Sequence, residues 1–150
     1  MTTQQSYREA TVRGASPVEL IIRLYEQTIE DLRQAAIALD QNDIGRRSDR
    51  IKHALLILGH LQNSLDFTRG GKVAENLNNF YTYLRRNLLS VQFHPSKSGI
   101  MQQITDVLAV REAWIEVERK ERMPDATPGD PASALGAGKD SASARVDWSV

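Results

Sequence analysis

Apolar residues recur at spacings of three and four along four separate stretches of the chain, and this pattern constrains the fold more than any other feature. Side chains spaced in this way gather on one face of an α-helix. The pattern predicts amphipathic helices over about residues 16–40, 44–66, 72–92 and 96–122. None of these four stretches shows the alternation of apolar and polar residues that is typical of a β-strand. The chain is therefore predicted to be all-α.

Local signals indicate where these helices begin and end. Ser16-Pro17-Val18-Glu19 combines an N-cap serine, a proline at the first helical position and a glutamate three residues after the cap, which is the pattern of a capping box. The pair Gly70-Gly71 favours a turn between the second and third helices. Pro95 disfavours helix in the residue before it and predicts the end of the third helix.

The lengths of the helices and of their links predict how they are arranged. Helices of about 20 to 25 residues are roughly 30 to 38 Å long. Links of a few residues force sequential helices to lie antiparallel. We therefore expect an up-down-up-down four-helix bundle over residues 16–122, preceded by a mobile N-terminal arm, residues 1–15.

Residues 123–150 differ in character from the bundle. Proline, glycine, alanine, serine and aspartate dominate this segment, and no apolar period runs through it. A composition of this kind predicts a disordered tail. Only the final Val146-Asp147-Trp148-Ser149-Val150 alternates apolar and polar residues. A solvated end is the favoured interpretation, and weak docking of this segment is the alternative.

Charge and cysteine content exclude several classes of partner and site. The 19 basic residues equal the 19 acidic ones, so no strong basic field predicts binding to nucleic acid. The chain has no cysteine, which rules out disulfides and thiolate chemistry. No signal peptide and no apolar run of about 18 residues is present, so we expect no membrane insertion and a cytoplasmic location.

The sequence contains no pattern that predicts catalysis, a cofactor or a metal. His53 and His60 share a helix face but lie roughly 10 Å apart, too far to chelate one ion. His94 is the third histidine, and none of the three follows a glutamate by three residues, as di-iron bundles require. Glycine-rich phosphate loops and nucleophile elbows are absent. We therefore expect a non-enzymatic protein without a cofactor.

His53 suggests one alternative, a histidine-phosphotransfer signalling bundle. In that class the accepting histidine is followed by a leucine, a lysine and a glycine at defined positions. Here the run is His53-Ala54-Leu55-Leu56-Ile57, so aliphatic side chains replace the cation that would offset the phosphate charge and the glycine that would let a partner approach. The interpretation favoured for His53 is a histidine at the surface or the boundary of the bundle.

Several apolar residues lie beside the predicted inner faces rather than on them. On a helical wheel Leu56 projects about 140° away from Ile51, which faces the core. One interpretation is that the helices bury wide faces; the other is that the surface carries grooves for the apolar side of another chain. On the second interpretation the candidate partner-binding residues in the bundle are Leu20, Leu24, Leu56, Val110, Trp114 and Val117. Tyr25 and Tyr81 are expected in the core, and Trp114 fits either place.

Four motifs in order resemble those of a known family. The first is the opening segment, from Tyr7 through Ala15-Ser16-Pro17-Val18-Glu19-Leu20-Ile21-Ile22-Arg23-Leu24-Tyr25, in which only Gly14 departs from the family's threonine. The second is Ile51-Lys52-His53-Ala54, which leads to Leu61 and Leu65-Asp66. The others are Gly70-Gly71-Lys72-Val73-Ala74-Glu75-Asn76-Leu77 with Tyr81 and Tyr83-Leu84, and then Leu108 with Arg111-Glu112-Ala113-Trp114. Over about residues 7–117 the chain resembles the FliS family of flagellin export chaperones.

This resemblance implies a four-helix bundle and a partner, the disordered C-terminal segment of flagellin. Family members hold that segment so that flagellin does not polymerise early, and then pass the cargo to the flagellar export gate. The arm carrying Tyr7 and Val12 resembles the family's mobile segment that covers part of the cargo groove, although Tyr7 could equally anchor the arm. A structural or dimerising helical domain is a further alternative. The tail after residue 123 lies outside the resemblance.

Overall fold

The computed structural model describes residues 16–122, which form four helices and no strand within that range. They are α1 (Pro17–Asp40), α2 (Ile44–Asn63), α3 (Phe67–Phe93) and α4 (Lys97–Arg122). The all-α prediction and the helix count are confirmed. The predicted arm, 1–15, and the predicted tail, 123–150, lie outside the described residues.

The start of α1 has the reciprocal hydrogen bonds that its sequence predicts. The backbone N–H of Glu19 donates to the Ser16 hydroxyl at 3.1 Å, and the Ser16 N–H donates to the Glu19 carboxylate at 2.9 Å. These two bonds satisfy donors that the first turn of a helix leaves without partners. Hydrogen bonding to the Ser16 backbone also lowers the pKa of Glu19. The capping box therefore fixes where the bundle begins.

The junction between α2 and α3 differs from the prediction. α2 ends at Asn63 rather than near Asp66, because the Asp66 carboxylate accepts the backbone N–H groups of Thr68 and Arg69 and starts a new helical turn there. The predicted break falls inside α3, where Gly71 has φ 52° and ψ −129°. That positive φ is a conformation that glycine adopts without the steric cost of a Cβ. α3 therefore begins at Phe67 with a short turn and is kinked at Gly71.

The helices pack in a square, with neighbours in sequence also neighbours in space. α1 packs closely against α2 and α4, α3 packs against α2, and the contact between α3 and α4 is the smallest of the four. One contiguous apolar core fills the centre, and its largest fully buried side chains include Tyr25, Tyr81, Phe80 and Leu32. The placement of Tyr25 and Tyr81 in the core confirms the prediction from their spacing.

The buried face of α4 is rotated relative to the predicted one. Ile104 is buried, and the other buried residues alternate spacings of three and four along the helix: Ile100, Gln103, Val107, Val110, Trp114 and Val117. A stripe with this spacing repeats every 3.5 residues. A helical wheel drawn at 100° per residue therefore misplaces its positions by about 20° for every seven residues. The placement of Val110 and Val117 beside the inner face is therefore wrong, and Leu108 and Ile115, whose spacing also fits an inner face, are only half-buried.

Candidate functional site

Three aromatic residues from three helices meet inside the bundle. The hydroxyl oxygens of Tyr25 and Tyr81 lie 2.8 Å apart, and their rings meet edge-to-face with centroids 6.3 Å apart. Trp114 of α4 meets Tyr25 in the same manner at 6.4 Å. Edge-to-face pairs of this kind stabilise a core beyond the area they bury. The cluster therefore fixes the positions of α1, α3 and α4 relative to one another.

Burial sets the protonation state of this cluster. Burial raises the pKa of Tyr25, and hydrogen bonds from Tyr81 and Trp114 oppose that rise only in part. The pKa of Tyr81 is also raised well above its ordinary value, first by burial and then by the neighbouring Tyr25. Both hydroxyls therefore stay neutral across the physiological pH range, and the cluster acts as fixed packing with an internal hydrogen bond.

An apolar groove opens beside this aromatic cluster, with a volume of about 180 Å³. It lies at the end of the bundle where α1 begins, α2 ends and α3 begins, and where α4 approaches its end. Tyr81 and Trp114 form part of its wall. Its other apolar lining residues are Ile21, Leu61, Leu65, Val73, Ala74 and Leu77. A concave, mostly apolar surface of this kind is what a protein uses to hold an apolar side chain of a ligand.

The junction of α2 and α3 forms one side of the groove. Gly70 lines it, and a Cβ at that position would lie 2.6 Å from the Ala74 Cβ. The chain turns tightly here because Asp66 caps the helical turn and Gly71 supplies the kink. The pair Gly70-Gly71 therefore does more than separate two helices, since it shapes the edge of the groove.

Two charged residues stand at the groove, and they differ in their contacts. The Asp66 carboxylate accepts backbone N–H groups of the first turn of α3. Arg69 is exposed and forms no ion pair with any residue in the range 16–122. The groove therefore has an apolar interior and one cation, Arg69, at its edge. Arg69 forms no ion pair with a described residue.

The structure does not gather the predicted partner-binding residues at one site. Leu56 projects from α2 with 65% of its surface exposed, as the wheel indicated, and it does not line the groove. Leu20 is 7% exposed, and Leu24 is half-buried against the core. Val110 and Val117 belong to the core, as described above, and only Trp114 both packs in the core and lines the groove. Tyr7 and Val12 lie outside the described residues.

The groove was missed because its walls carry residues that the pattern assigns to inner helix faces. Four of these wall residues have the spacing of three and four that predicts an inner helix face: Ile21, Leu65, Val73 and Leu77. Periodicity identifies which side of a helix is apolar, but it does not tell whether the facing helix covers that side completely. The glycine pair was the available signal, since residues without side chains leave space where helices converge.

A separate polar cluster joins α1 to α2. Asp31 is fully buried, and its carboxylate accepts from Gln27 at 3.2 Å and from Arg50 at 3.3 Å. The His53 Nδ1 lies 2.5 Å from the other carboxylate oxygen. His53 is half-buried at the edge of the bundle, where it was expected. Its ring is thus held by a structural carboxylate, and no contact in this cluster favours the phosphotransfer alternative.

Residues 16–122 contain neither a metal-binding cluster nor a membrane-spanning helix. No group of three or more histidine, aspartate or glutamate side chains in this range is arranged to hold a metal ion. None of the helices in the same range is long and apolar enough to cross a membrane. Outside the groove, several large apolar side chains are exposed, among them Leu56, Ile44 and Phe93.

Comparison with known proteins identifies the family. The family described as Flagellar protein FliS matches residues 1–121 of the chain. The chain belongs to the FliS family. The flagellar secretion chaperone FliS of Salmonella typhimurium is 30% identical over 114 residues, covering 75% of this chain and 84% of that protein.

Two other FliS relatives give the same picture. The flagellar secretion chaperone FliSB of Pseudomonas aeruginosa is 32% identical over 111 residues, with 74% of this chain and 88% of the relative covered. The flagellar secretion chaperone FliS of Bacillus subtilis is 27% identical over 121 residues, with 78% of this chain and 89% of the relative covered. The protein is thus a flagellar export chaperone by family. The family match ends at residue 121, so the segment 123–150 of this chain lies beyond it.

Proposed function

We propose that this FliS protein is a cytoplasmic chaperone for flagellin. It binds the disordered C-terminal segment of flagellin, prevents premature polymerisation and supports export of the subunit for flagellum assembly. The observation that carries the proposal is the apolar groove beside Tyr81 and Trp114, in a chain whose family is defined by flagellar secretion chaperones.

The groove suits an apolar side chain of an amphipathic segment. In helix-in-groove recognition, a few apolar anchors at spacings of three and four enter a hydrophobic concavity on the partner. The wall residues Ile21 and Leu65 are only half-buried, so they lose further contact with water when an anchor is bound. Removal of apolar surface from water provides the driving force.

Ordering a flexible cargo opposes binding, and this cost decides how large the contact must be. A disordered segment that folds on binding loses about 2 to 5 kcal/mol or more of the gross interaction energy. One groove of about 180 Å³ holds a single large side chain or a few small ones, so further contacts are required. The exposed Leu56 on α2 provides a candidate for a second contact.

The other predicted partner-binding residues have graded roles in this proposal. Trp114 contacts cargo directly, because it lines the groove, and Leu24 contributes from its half-buried position. Leu20, Val110 and Val117 act by holding the helices in place, since they are buried. Tyr7 and Val12, in the arm that precedes α1, supply further contacts to bound cargo or anchor the arm on the bundle.

Binding of this kind explains how a chaperone prevents polymerisation. A flagellin segment whose apolar face lies against the chaperone cannot use that face to contact another flagellin subunit. Handover to the export gate then requires the gate to compete for the chaperone or for the cargo. No catalytic step is needed, since each stage is an exchange of binding partners.

A polymerisation assay tests the proposal. Flagellin monomers seeded with filament fragments should elongate, as followed by light scattering, and an equimolar amount of this protein should suppress elongation. Flagellin lacking its C-terminal segment does not serve as cargo in this account, so it should not compete for the chaperone. Unchanged elongation of intact flagellin in the presence of the chaperone would contradict the proposal.

A further inference from the structure

The groove lies at the same end of the bundle as the point from which the C-terminal tail departs. α4 ends at Arg122, and Trp114 in the groove wall is eight residues earlier on the same helix. Eight residues of α-helix correspond to a separation of about 12 Å. The chain beyond Arg122 therefore leaves the bundle close to the groove.

We infer that the last segment of the tail, residues 146–150, docks in this groove and competes with cargo for it. This inference rests on the proposed function, because it assigns a competitor to the proposed cargo site. It concerns a part of the chain that the family match does not cover. The segment is therefore a regulatory element of this chain rather than of the family.

The apolar residues of the segment fit the groove in chemistry and in length. In an extended segment, successive side chains point to opposite sides, so Val146, Trp148 and Val150 share one side. Five extended residues span roughly 13 to 16 Å. The groove runs along α3 from Arg69 to Tyr81, a length of about 18 Å. Trp148 is the largest apolar side chain in the tail and provides the central anchor.

The charges of the tail and of the groove also favour docking of the segment with its apolar side in the groove. In that orientation Asp147 lies on the solvent-facing side of the segment, opposite the groove, so only a long exposed side chain beside the groove can pair with it. Arg69 lines that groove, is exposed and forms no ion pair with any residue from 16 to 122. The tail as a whole carries four aspartates against one lysine and one arginine. An Asp147–Arg69 pair would thus join an acidic segment to the one unpaired cation of the groove.

The length of the tail makes even a weak contact effective. The roughly 26 residues from Arg122 to Trp148, in which alanine is commonest and glycine, serine and proline are interspersed, would have a root-mean-square span of about 28 Å if they behave as a flexible chain. This span exceeds the distance to the groove, so the tail reaches it without being stretched. A tether of this length gives an effective concentration in the millimolar range. A segment with only millimolar intrinsic affinity would therefore occupy the groove for a large fraction of the time.

The absence of cysteine allows a direct test in the full chain. A spin label on Ser149→Cys would be the only label, because the natural sequence has no cysteine. We expect it to broaden the backbone amide signals of Ile21, Leu65 and Val73 in the isotopically labelled protein. A label on Ser133→Cys, in the middle of the tail, is the matched control and should broaden them less. Equal or absent broadening from both positions would overturn the inference.

Two other occupants of the groove give different outcomes in the same experiment. If a label on Ser6→Cys broadens the groove signals and the label on Ser149→Cys does not, the N-terminal arm is the occupant and the inference is wrong. If broadening persists when labelled chains are mixed with isotopically enriched chains that carry no label, a second copy supplies the segment. That result also contradicts docking within one chain.

Cargo binding provides the second test. Trp148→Ala should tighten binding of a flagellin C-terminal peptide about two- to tenfold, because it removes a competitor present at millimolar effective concentration. Leu135→Ala, elsewhere in the tail, should leave binding unchanged. If wild-type and Trp148→Ala proteins bind equally well, competition is refuted while the proposed function stands. If neither binds, the proposed function fails, and the spin-label result alone decides whether the tail docks.

Discussion

The hydroxyl groups of Tyr25 and Tyr81 form a buried hydrogen bond, 2.8 Å long, between α1 and α3. These helices occupy opposite corners of the square, and each packs mainly against α2 and α4 instead. The bond therefore joins two elements that otherwise touch little. Because Tyr81 also lines the groove, the same bond positions part of the wall against which we propose that cargo binds.

Removing either hydroxyl should destabilise the fold. Tyr81→Phe takes away the hydrogen-bond partner of the Tyr25 hydroxyl and should lower the free energy of unfolding by about 1 to 2 kcal/mol, the usual penalty for an unpaired buried polar group. Tyr25→Phe takes away the partner of the Tyr81 hydroxyl and should cost a similar amount. Urea unfolding measures both values. Unchanged stability in both variants would show that the buried bond does not stabilise the fold.

The N-cap of α1 gives a prediction that is independent of the groove. Ser16→Ala removes the acceptor for the Glu19 N–H and should lower the free energy of unfolding by about 1 kcal/mol. Glu19→Gln is the control, since an amide oxygen can still accept from the Ser16 N–H, and its effect should be smaller. If Ser16→Ala unfolds at the same urea concentration as the wild type, the capping box does not stabilise the helix.

Glu121, near the end of α4, should destabilise the protein when it is ionised. Burial, followed by repulsion from Glu118 and Glu19, raises its pKa above the ordinary 4.5. A carboxyl whose pKa is higher in the folded state costs stability above that pKa and costs nothing below the unfolded value. Glu121→Gln should therefore stabilise the protein at pH 7, by no more than about 0.5 kcal/mol because the group is partly solvated.

That gain should disappear at pH 4, where the wild-type carboxyl is protonated in both states. Thermal unfolding of the wild type and of Glu121→Gln at pH 4 and pH 7 measures the difference in stability. Glu75→Gln, which changes an exposed carboxylate on α3, controls for the loss of one negative charge. A stabilisation of Glu121→Gln that is the same at pH 4 and pH 7 would mean that ionisation is not its cause.

His53 provides a test of the phosphotransfer alternative. His53→Gln should leave flagellin binding unchanged, since the residue lies in the α1–α2 polar cluster and does not line the groove. Incubation of the wild type with small phosphodonors should yield no acid-labile phosphohistidine. Stoichiometric phosphorylation that the Gln variant abolishes would favour the signalling alternative.

Much of the fold could be predicted because each element has its own local signal. Ser16 and Glu19 determine the start of α1, and the apolar spacing gives four helices whose short links leave one simple arrangement. The α2–α3 junction was less predictable, because Asp66 competes as a helix cap with the glycine pair that follows it. Two signals within a few residues give an uncertain boundary.

The candidate site was harder to predict than the fold. Whether Val110 faces a neighbouring helix or the solvent depends on a rotation of α4 that a fixed wheel does not capture. Leu56 was predicted correctly to be exposed because it lies far from the centre of the α2 apolar face. At such a distance, an error of some tens of degrees in the helical wheel does not move a residue into the core. The groove itself arises where several helices converge, so no single helix pattern contains it.

Calorimetric titration of the full chain with a flagellin C-terminal peptide tests the central claim most directly. We expect one peptide per chain, a negative heat-capacity change from burial of apolar surface, and favourable enthalpy that offsets the cost of ordering the peptide. Leu65→Asp puts a charge in the groove at a half-buried position and should weaken binding at least tenfold. Leu56→Asp places the same charge outside the groove and should have a smaller effect.

Circular dichroism of each variant must match the wild type for the comparison to hold. The account predicts that one wild-type chain binds one peptide. The wild type should bind most tightly, Leu56→Asp less tightly and Leu65→Asp least tightly. No heat of binding for the wild type with intact flagellin or its C-terminal peptide would contradict the chaperone assignment. Full affinity in a folded Leu65→Asp variant would contradict the placement of the cargo in the groove.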